Sequence, residues 1–394
     1  MKTYLAKQLF DGQHMHNDMH MKVDKGQIMA IESALQSPWK TDIELDGTVS
    51  AGFIDIQVNG GGGVLFNDEQ TPKALSKIMQ GHAKYGTTTM LPTLITDSNK
   101  KMQRAANAVR EAIEISMPGI AGIHFEGPHL SLSKKGIHCA KQIRVISDAD
   151  LTIVTRKNIG KVLMTIAPEN VPTDIIADLV NQGVVVSLGH SDADVDTVLS
   201  AIDAGAHCFT HLFNAMSGLT ARAPGMISAA LTDKRVGAGL IADLHHVHQY
   251  NCKLAYQCIG PQRLMLVTDA MAHVGCDMQV YPWLNANITK VGNKLTLDDG
   301  SLAGSCLDMA SAVKNMYALL SEGVLANEQH RLLNDALNMA SATPANLMGL
   351  KRLGKLIPGH QADFILLNQD LSVQASWIKG EHVAGAVING TNNR

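Results

Sequence analysis

From residue 52 onward, short apolar runs alternate with stretches of helical period. The runs are 52–57, 87–91, 119–125, 161–167, 184–189, 206–211, 236–242 and 264–268. Each has the length of a strand buried on both faces, and most are rich in β-branched residues. Between them, residues 98–117 place Met102, Ala105, Ala106, Val109, Ala112 and Ile113 on one helical stripe. Pro172 suits the first helical position before Ile175, Ile176, Leu179 and Val180, with Gly183 as terminator. Ser191 and Asp194 are spaced like a capping box ahead of Val195, Val198, Leu199 and Ile202, and Gly205 closes that helix. Weaker helical periods cover 226–231 and 247–259.

About eight strand–helix units over roughly 300 residues predict an α/β chain folded as a (β/α)8 TIM barrel. An open doubly wound sheet would need a phosphate fingerprint in its first turn. Asn59-Gly60-Gly61-Gly62-Gly63 does not supply one. Both flanks read differently, as short strands at 21–23, 27–32 and 43–45 and again at 364–367, 376–379 and 383–388. They predict a small β-sandwich domain formed by both chain ends, residues 1–50 with 354–394, around a barrel of residues 51–353. A hairpin near 288–297 is expected to interrupt the barrel after its last strand.

Composition narrows the function classes. Of 394 residues, 45% are hydrophobic and 18% charged, which supports a large core and excludes wholesale disorder. Thirty-three basic against 36 acidic side chains, a net charge of −3, disfavour an electrostatic binder of nucleic acid or membrane surfaces. The N-terminal residues carry no signal-peptide pattern, and no apolar run approaches the ~20 residues of a membrane helix. Six scattered cysteines without Cys-x-x-Cys spacing complete the expectation of a reduced, cytoplasmic protein.

Functional groups of such barrels lie at the C-terminal ends of strands. There the sequence puts Glu126 after the third run, His190 after the fifth, His211 at the end of the sixth and Asp269 after the eighth. A Glu-His-His set with open positions suits one divalent ion such as zinc, and a free carboxylate beside it suits general acid/base work. Any one of these histidines read alone is more often a hydrogen-bonded core or rim residue than a ligand. The convergence depends on the barrel.

The constellation resembles the amidohydrolase superfamily, and within it the N-acetylglucosamine-6-phosphate deacetylases. The resemblance runs through Ala51-Gly-Phe-Ile-Asp55, Leu91-Pro-Thr-Leu-Ile95, His124-Phe-Glu-Gly-Pro128, Lys134-Lys-Gly-Ile-His138, Ala167-Pro-Glu169 and Leu188-Gly-His-Ser191. It continues through Thr210-His-Leu-Phe-Asn-Ala-Met216, Arg222-Ala-Pro-Gly225, Leu266-Val-Thr-Asp-Ala270 and Leu302-Ala-Gly-Ser305. It implies Glu126, His190 and His211 as metal ligands and Asp269 as general acid/base, with His138 polarising the acetyl carbonyl. Asn214, Ala215, Arg222, His246 and Leu302, Ala303 and Gly304 would hold the sugar phosphate. Arg222 would reach in from the neighbouring subunit of a homodimer. The implied reaction deacetylates N-acetyl-D-glucosamine 6-phosphate; the galactosamine epimer is the alternative. A hydrolase of cyclic amides or acylated amino acids, or a catalytically silent sugar-phosphate sensor, would be rivals.

Some features depart from the pattern. Gln57-Val-Asn59 stands where many superfamily members have His-x-His for a second metal; neutral amides are poor ligands for such ions, so one ion is expected. Leu244, in Ala242-Asp-Leu-His-His246, replaces a glycine, and Cys139 and His245 have no implied role. The Met/His segment from His14 to His20 reads as a polar turn leading into a strand. Gly60–Gly63 reads as a place where the backbone passes close to the barrel mouth.

Overall fold

The computed structural model describes residues 1–283 and 286–388. Eight parallel strands lie in chain order around a barrel: Phe53–Val58, Thr87–Ile95, Gly122–Glu126, Lys161–Ile166, Val185–Leu188, Cys208–Phe209, Gly237–Leu240 and Leu264–Leu266. The expected (β/α)8 architecture is therefore present. Several strands end earlier than their apolar runs because the chain turns aside at the mouth, as at His190 (φ +48°) and His211 (φ +32°).

Helices follow the strands and bury apolar stripes against them. Asn99–Glu114 buries Met102, Ala105, Ala106, Val109 and Ala112, the stripe read from the sequence. Two helix starts differ from expectation. Pro172 is the cap of Thr173–Asn181 rather than its first residue. Ser191 takes no part in capping Val195–Asp203, because Asp194 alone accepts the Thr197 N–H, at 2.8 Å. The Ser191 hydroxyl instead donates to Glu169 at 2.5 Å.

Both chain ends build a seven-stranded sheet. Its order is Glu381–Gly385, Val373–Ile378, Phe364–Leu367, Ile43–Ala51, Lys2–Phe10, Met15–Asp24 and Gln27–Ser33. Its own core includes Tyr4, Leu9, Met21, Leu45, Phe364 and Trp377, with the Phe364 and Trp377 rings stacked at 4.6 Å. This is the small β-sandwich element expected from the flanks. Residues 389–394 of the expected segment 354–394 lie outside the described residues.

Lys2–Phe10 does not announce itself in the sequence, since its buried positions (Thr3, Tyr4, Ala6, Leu9, Phe10) do not alternate strictly. The Met/His segment belongs to the strand Met15–Asp24, where His16 bonds Asp11 at 2.8 Å and His20 bonds Thr41 at 2.9 Å. The expected hairpin is a three-stranded insertion, Val280–Trp283, Ala286–Val291 and Lys294–Thr296. It packs at the mouth on Leu65, Ile95, Met271 and Ala303. Among the described residues, no helix is long and apolar enough to cross a membrane.

Candidate active site

A polar layer inside the barrel steadies the strands that carry the candidate ligands. The His124 ring bonds Thr165 at 2.8 Å, and the Thr210 hydroxyl bonds both Thr165 and Ser187 at 2.7 Å. These groups join the third to sixth strands beneath the mouth. Buried polar atoms satisfied in this way specify one register and one set of strand heights.

Above that layer, Glu126, His190 and His211 converge. The Nε2 atoms of His190 and His211 lie 3.2 Å and 3.0 Å from the same Glu126 oxygen, Oε1, and 2.9 Å from each other. Hydrogen positions follow from the partners. Nδ1 of His190 faces the Lys134 carbonyl at 2.8 Å; a carbonyl only accepts, so Nδ1 carries the proton and Nε2 a lone pair. Nδ1 of His211 has no partner.

Two acceptor atoms, Glu126 Oε1 and His190 Nε2, thus meet Nε2 of His211 at one point, and a cation relieves the crowding. A single proton can serve one of the three contacts, whereas a metal ion serves all three at once. The spacing agrees, because bonds of about 2.0–2.1 Å in a tetrahedral zinc site separate ligand atoms by roughly 3.3 Å. In the metal-free set the same crowding shifts ionisation, and the proton that Glu126 draws onto His211 is one that a bound ion would displace. Burial would raise Glu126, yet the two imidazoles bonded to it hold it well below the ordinary carboxylate range. Burial would lower His211, yet the Glu126 carboxylate holds it above the usual histidine value. The set fits a bound divalent ion.

His138 is close enough to be considered a fourth ligand, since one ligand atom each from Glu126, His138 and His190 lie within 4.8 Å of one another. Its protonation argues for another role. Nδ1 of His138 faces Thr96, whose hydroxyl lies 2.7 Å away and whose N–H donates to it at 3.3 Å; a neutral ring that accepts from both carries its proton on Nε2. Burial, aided by the nearby His190, holds the ring well below its ordinary value and therefore neutral. His138 presents a donor rather than a lone pair to the cavity that it lines.

Asp269 lies half-buried on the far side. Its Oδ1 accepts from the side chains of Asn59 at 2.7 Å and Gln57 at 3.2 Å. The same Gln57 amide nitrogen donates to Glu126 at 3.1 Å. The residues that replace a His-x-His pair thus tie two carboxylates together through N–H donors. Burial, with the Glu126 charge close by, pushes Asp269 up to about 6.

These groups line a cavity of about 240 Å³ together with Asn214, Ala215, Ile241, His246, Leu302 and Gly304. Ala303 is buried in the apolar cluster beneath the insertion and does not line it. Arg222 is exposed on a loop outside it. Asp243, which sequence reasoning passed over, bonds Nδ1 of His246 at 2.6 Å and fixes that ring. The Asp-x-x-His spacing was its only signal.

The non-glycine residues at positive φ include His190, His211, Phe213, Ala215, Leu244 and Asp269, all around this mouth. Each such conformation costs about 1–2 kcal/mol and concentrates where function requires it. Leu244, at φ +63°, keeps the backbone shape that a glycine would take without strain. At the glycine run, a Cβ on Gly61 would come within 2.8 Å of the His82 ring, so close approach explains that glycine.

Comparison with known proteins agrees with this geometry. The model of the amidohydrolase family matches residues 48–391. An N-acetylgalactosamine-6-phosphate deacetylase of Shewanella sp. (strain ANA-3) is 45% identical over 92% of this chain and 90% of its own length. An N-acetylglucosamine-6-phosphate deacetylase of Haemophilus influenzae is 31% identical over 89% of this chain and 90% of its own. The crystal structure of the N-acetylglucosamine-6-phosphate deacetylase from Pasteurella multocida superposes with a TM-score of 0.90 at 32% identity, covering 98% of this chain and 100% of that one. A mutant Mycobacterium smegmatis deacetylase in complex with N-acetyl-D-glucosamine 6-phosphate gives 0.89 at 31% identity, covering 97% and 99%. The chain belongs to the amidohydrolase family.

Proposed function

We propose that this chain is a cytoplasmic enzyme of amino-sugar catabolism. It hydrolyses N-acetyl-D-glucosamine 6-phosphate to D-glucosamine 6-phosphate and acetate. The carrying observation is the Glu126–His190–His211 triangle with Asp269 beside it in one cavity. Catalysis is assigned to the barrel, residues 51–353. The small domain, residues 1–50 with 354–394, supports it. A second reading, the galactosamine epimer as substrate, is favoured by the 45% identity to the Shewanella enzyme.

One divalent ion, zinc in this proposal, is held by Glu126, His190 and His211, and when bound it supplies Lewis-acid polarisation of the acetyl carbonyl and a more acidic water. Asp269 takes the proton of the attacking water and later delivers it to the departing amine. The N–H on Nε2 of His138 donates to the carbonyl oxygen as negative charge grows there. Asn214, Ala215, His246 and the segment from Leu302 to Gly304 hold the sugar. Arg222 reaches the phosphate from the neighbouring subunit of a homodimer, where its planar fork suits bidentate contact.

The test is acetate release from both N-acetylhexosamine epimers, each with and without the 6-phosphate. Turnover should require the phosphate, because binding energy remote from the amide orients it for attack. Equal rates with and without phosphate would refute the substrate assignment. The ratio between epimers chooses between the two readings. In the same assay, Arg222→Ala should weaken kcat/KM on phosphorylated sugar by roughly 100-fold and leave the unphosphorylated sugar almost unchanged. Equal losses on both sugars would show that Arg222 does not read phosphate.

A further inference from the structure

Among the described residues, every neighbouring pair of barrel strands shares a ladder except the first and the last, which meet in one isolated bridge between Val58 and Ala270. The fully buried carboxylate of Asp55 projects into this seam. Its Oδ1 accepts the N–H of Gln57 at 3.2 Å and of Thr268 at 3.3 Å, and its Oδ2 accepts the Thr268 hydroxyl at 2.5 Å. Ser305, also buried, closes the other side. Its hydroxyl donates to the Thr268 carbonyl, and its N–H donates to the Asp269 carbonyl at 3.1 Å. The Asp269 N–H goes to the Gln57 carbonyl at 3.0 Å. All four backbone polar groups of Thr268 and Asp269 are therefore engaged.

Asp269 has φ +50°, a left-handed conformation that is sparsely populated outside glycine even for aspartate and that its surroundings hold here. We propose that Asp55 and Ser305 are positioning residues that hold the Asp269 backbone in this shape and so aim its carboxyl group at the reacting atoms. Neither residue lines the cavity, so neither touches substrate. The clasp joins the strand that carries Gln57, with Asn59 just past its end, to the turn that carries Asp269. It thereby fixes the distance across which those amides hold the carboxylate.

This inference rests on Asp269 being the acid/base. The test compares Ser305→Ala, Asp55→Asn and Asp269→Asn in the full-length, metal-loaded chain. Ser305→Ala and Asp55→Asn should lower kcat by roughly 10–100-fold while KM stays within about two-fold and metal content is unchanged, because a misaimed base slows chemistry without weakening binding. Normal kcat in a folded Ser305→Ala protein, with Asp269→Asn inactive, overturns the clasp and leaves the acid/base reading standing. Loss of KM, metal and thermal stability together with kcat shows a barrel staple and overturns it too. Near-normal turnover in Asp269→Asn overturns both. Should Asp55→Asn fail to fold, Ser305→Ala decides.

Discussion

Asp269→Asn is expected to bind metal and substrate as the native chain does, yet to release acetate about 10²–10⁴ times more slowly. The asparagine keeps the side-chain volume and an oxygen for the Asn59 and Gln57 amides, which approach the native Oδ1 at 2.7 and 3.2 Å. It cannot take up a proton. Attack would then generate a proton with no nearby acceptor, and the amine would have to leave without one. His138 cannot substitute, since its Nδ1 is occupied by the hydroxyl and N–H of Thr96 and its Nε2 carries the ring's hydrogen. Steady-state kinetics with metal analysis of the same preparation checks this. Turnover within a few-fold of native would remove Asp269 from the acid/base role.

The barrel is legible in the sequence because its strands are buried on both faces, so uninterrupted apolar runs mark them whatever their partners. The ligands become legible once the barrel is assumed, since Glu126, His190, His211 and Asp269 each close a run. What escapes is whatever depends on pairing across the chain. Asp55 reads as one acid among many until its partner Thr268, 213 residues away, is placed beside it. Local spacing makes Ser191 look like a cap, whereas the partner of its hydroxyl, Glu169, comes from another loop. The tautomer of His138 depends on the N–H and hydroxyl of Thr96, at the second strand's end. No pattern along the sequence encodes it.

Chelation of the purified chain is expected to abolish acetate release and to lower its thermal unfolding midpoint by several degrees. One equivalent of divalent ion per chain should restore both. The expected stabilisation is about 4 kcal/mol when free ion exceeds Kd about 1,000-fold, because the ion binds only the folded arrangement. Its origin is the crowding of lone pairs, with Glu126 Oε1, His190 Nε2 and His211 Nε2 mutually 2.9–3.2 Å apart. Without the ion, one proton must relieve three contacts. A second ion is not expected, since the Gln57 and Asn59 amides turn N–H donors, rather than lone pairs, toward Asp269. Elemental analysis alongside calorimetry distinguishes the outcomes. Full turnover in metal-free protein would refute metal dependence, and two ions held with equal affinity would show that the amides do not close the second position.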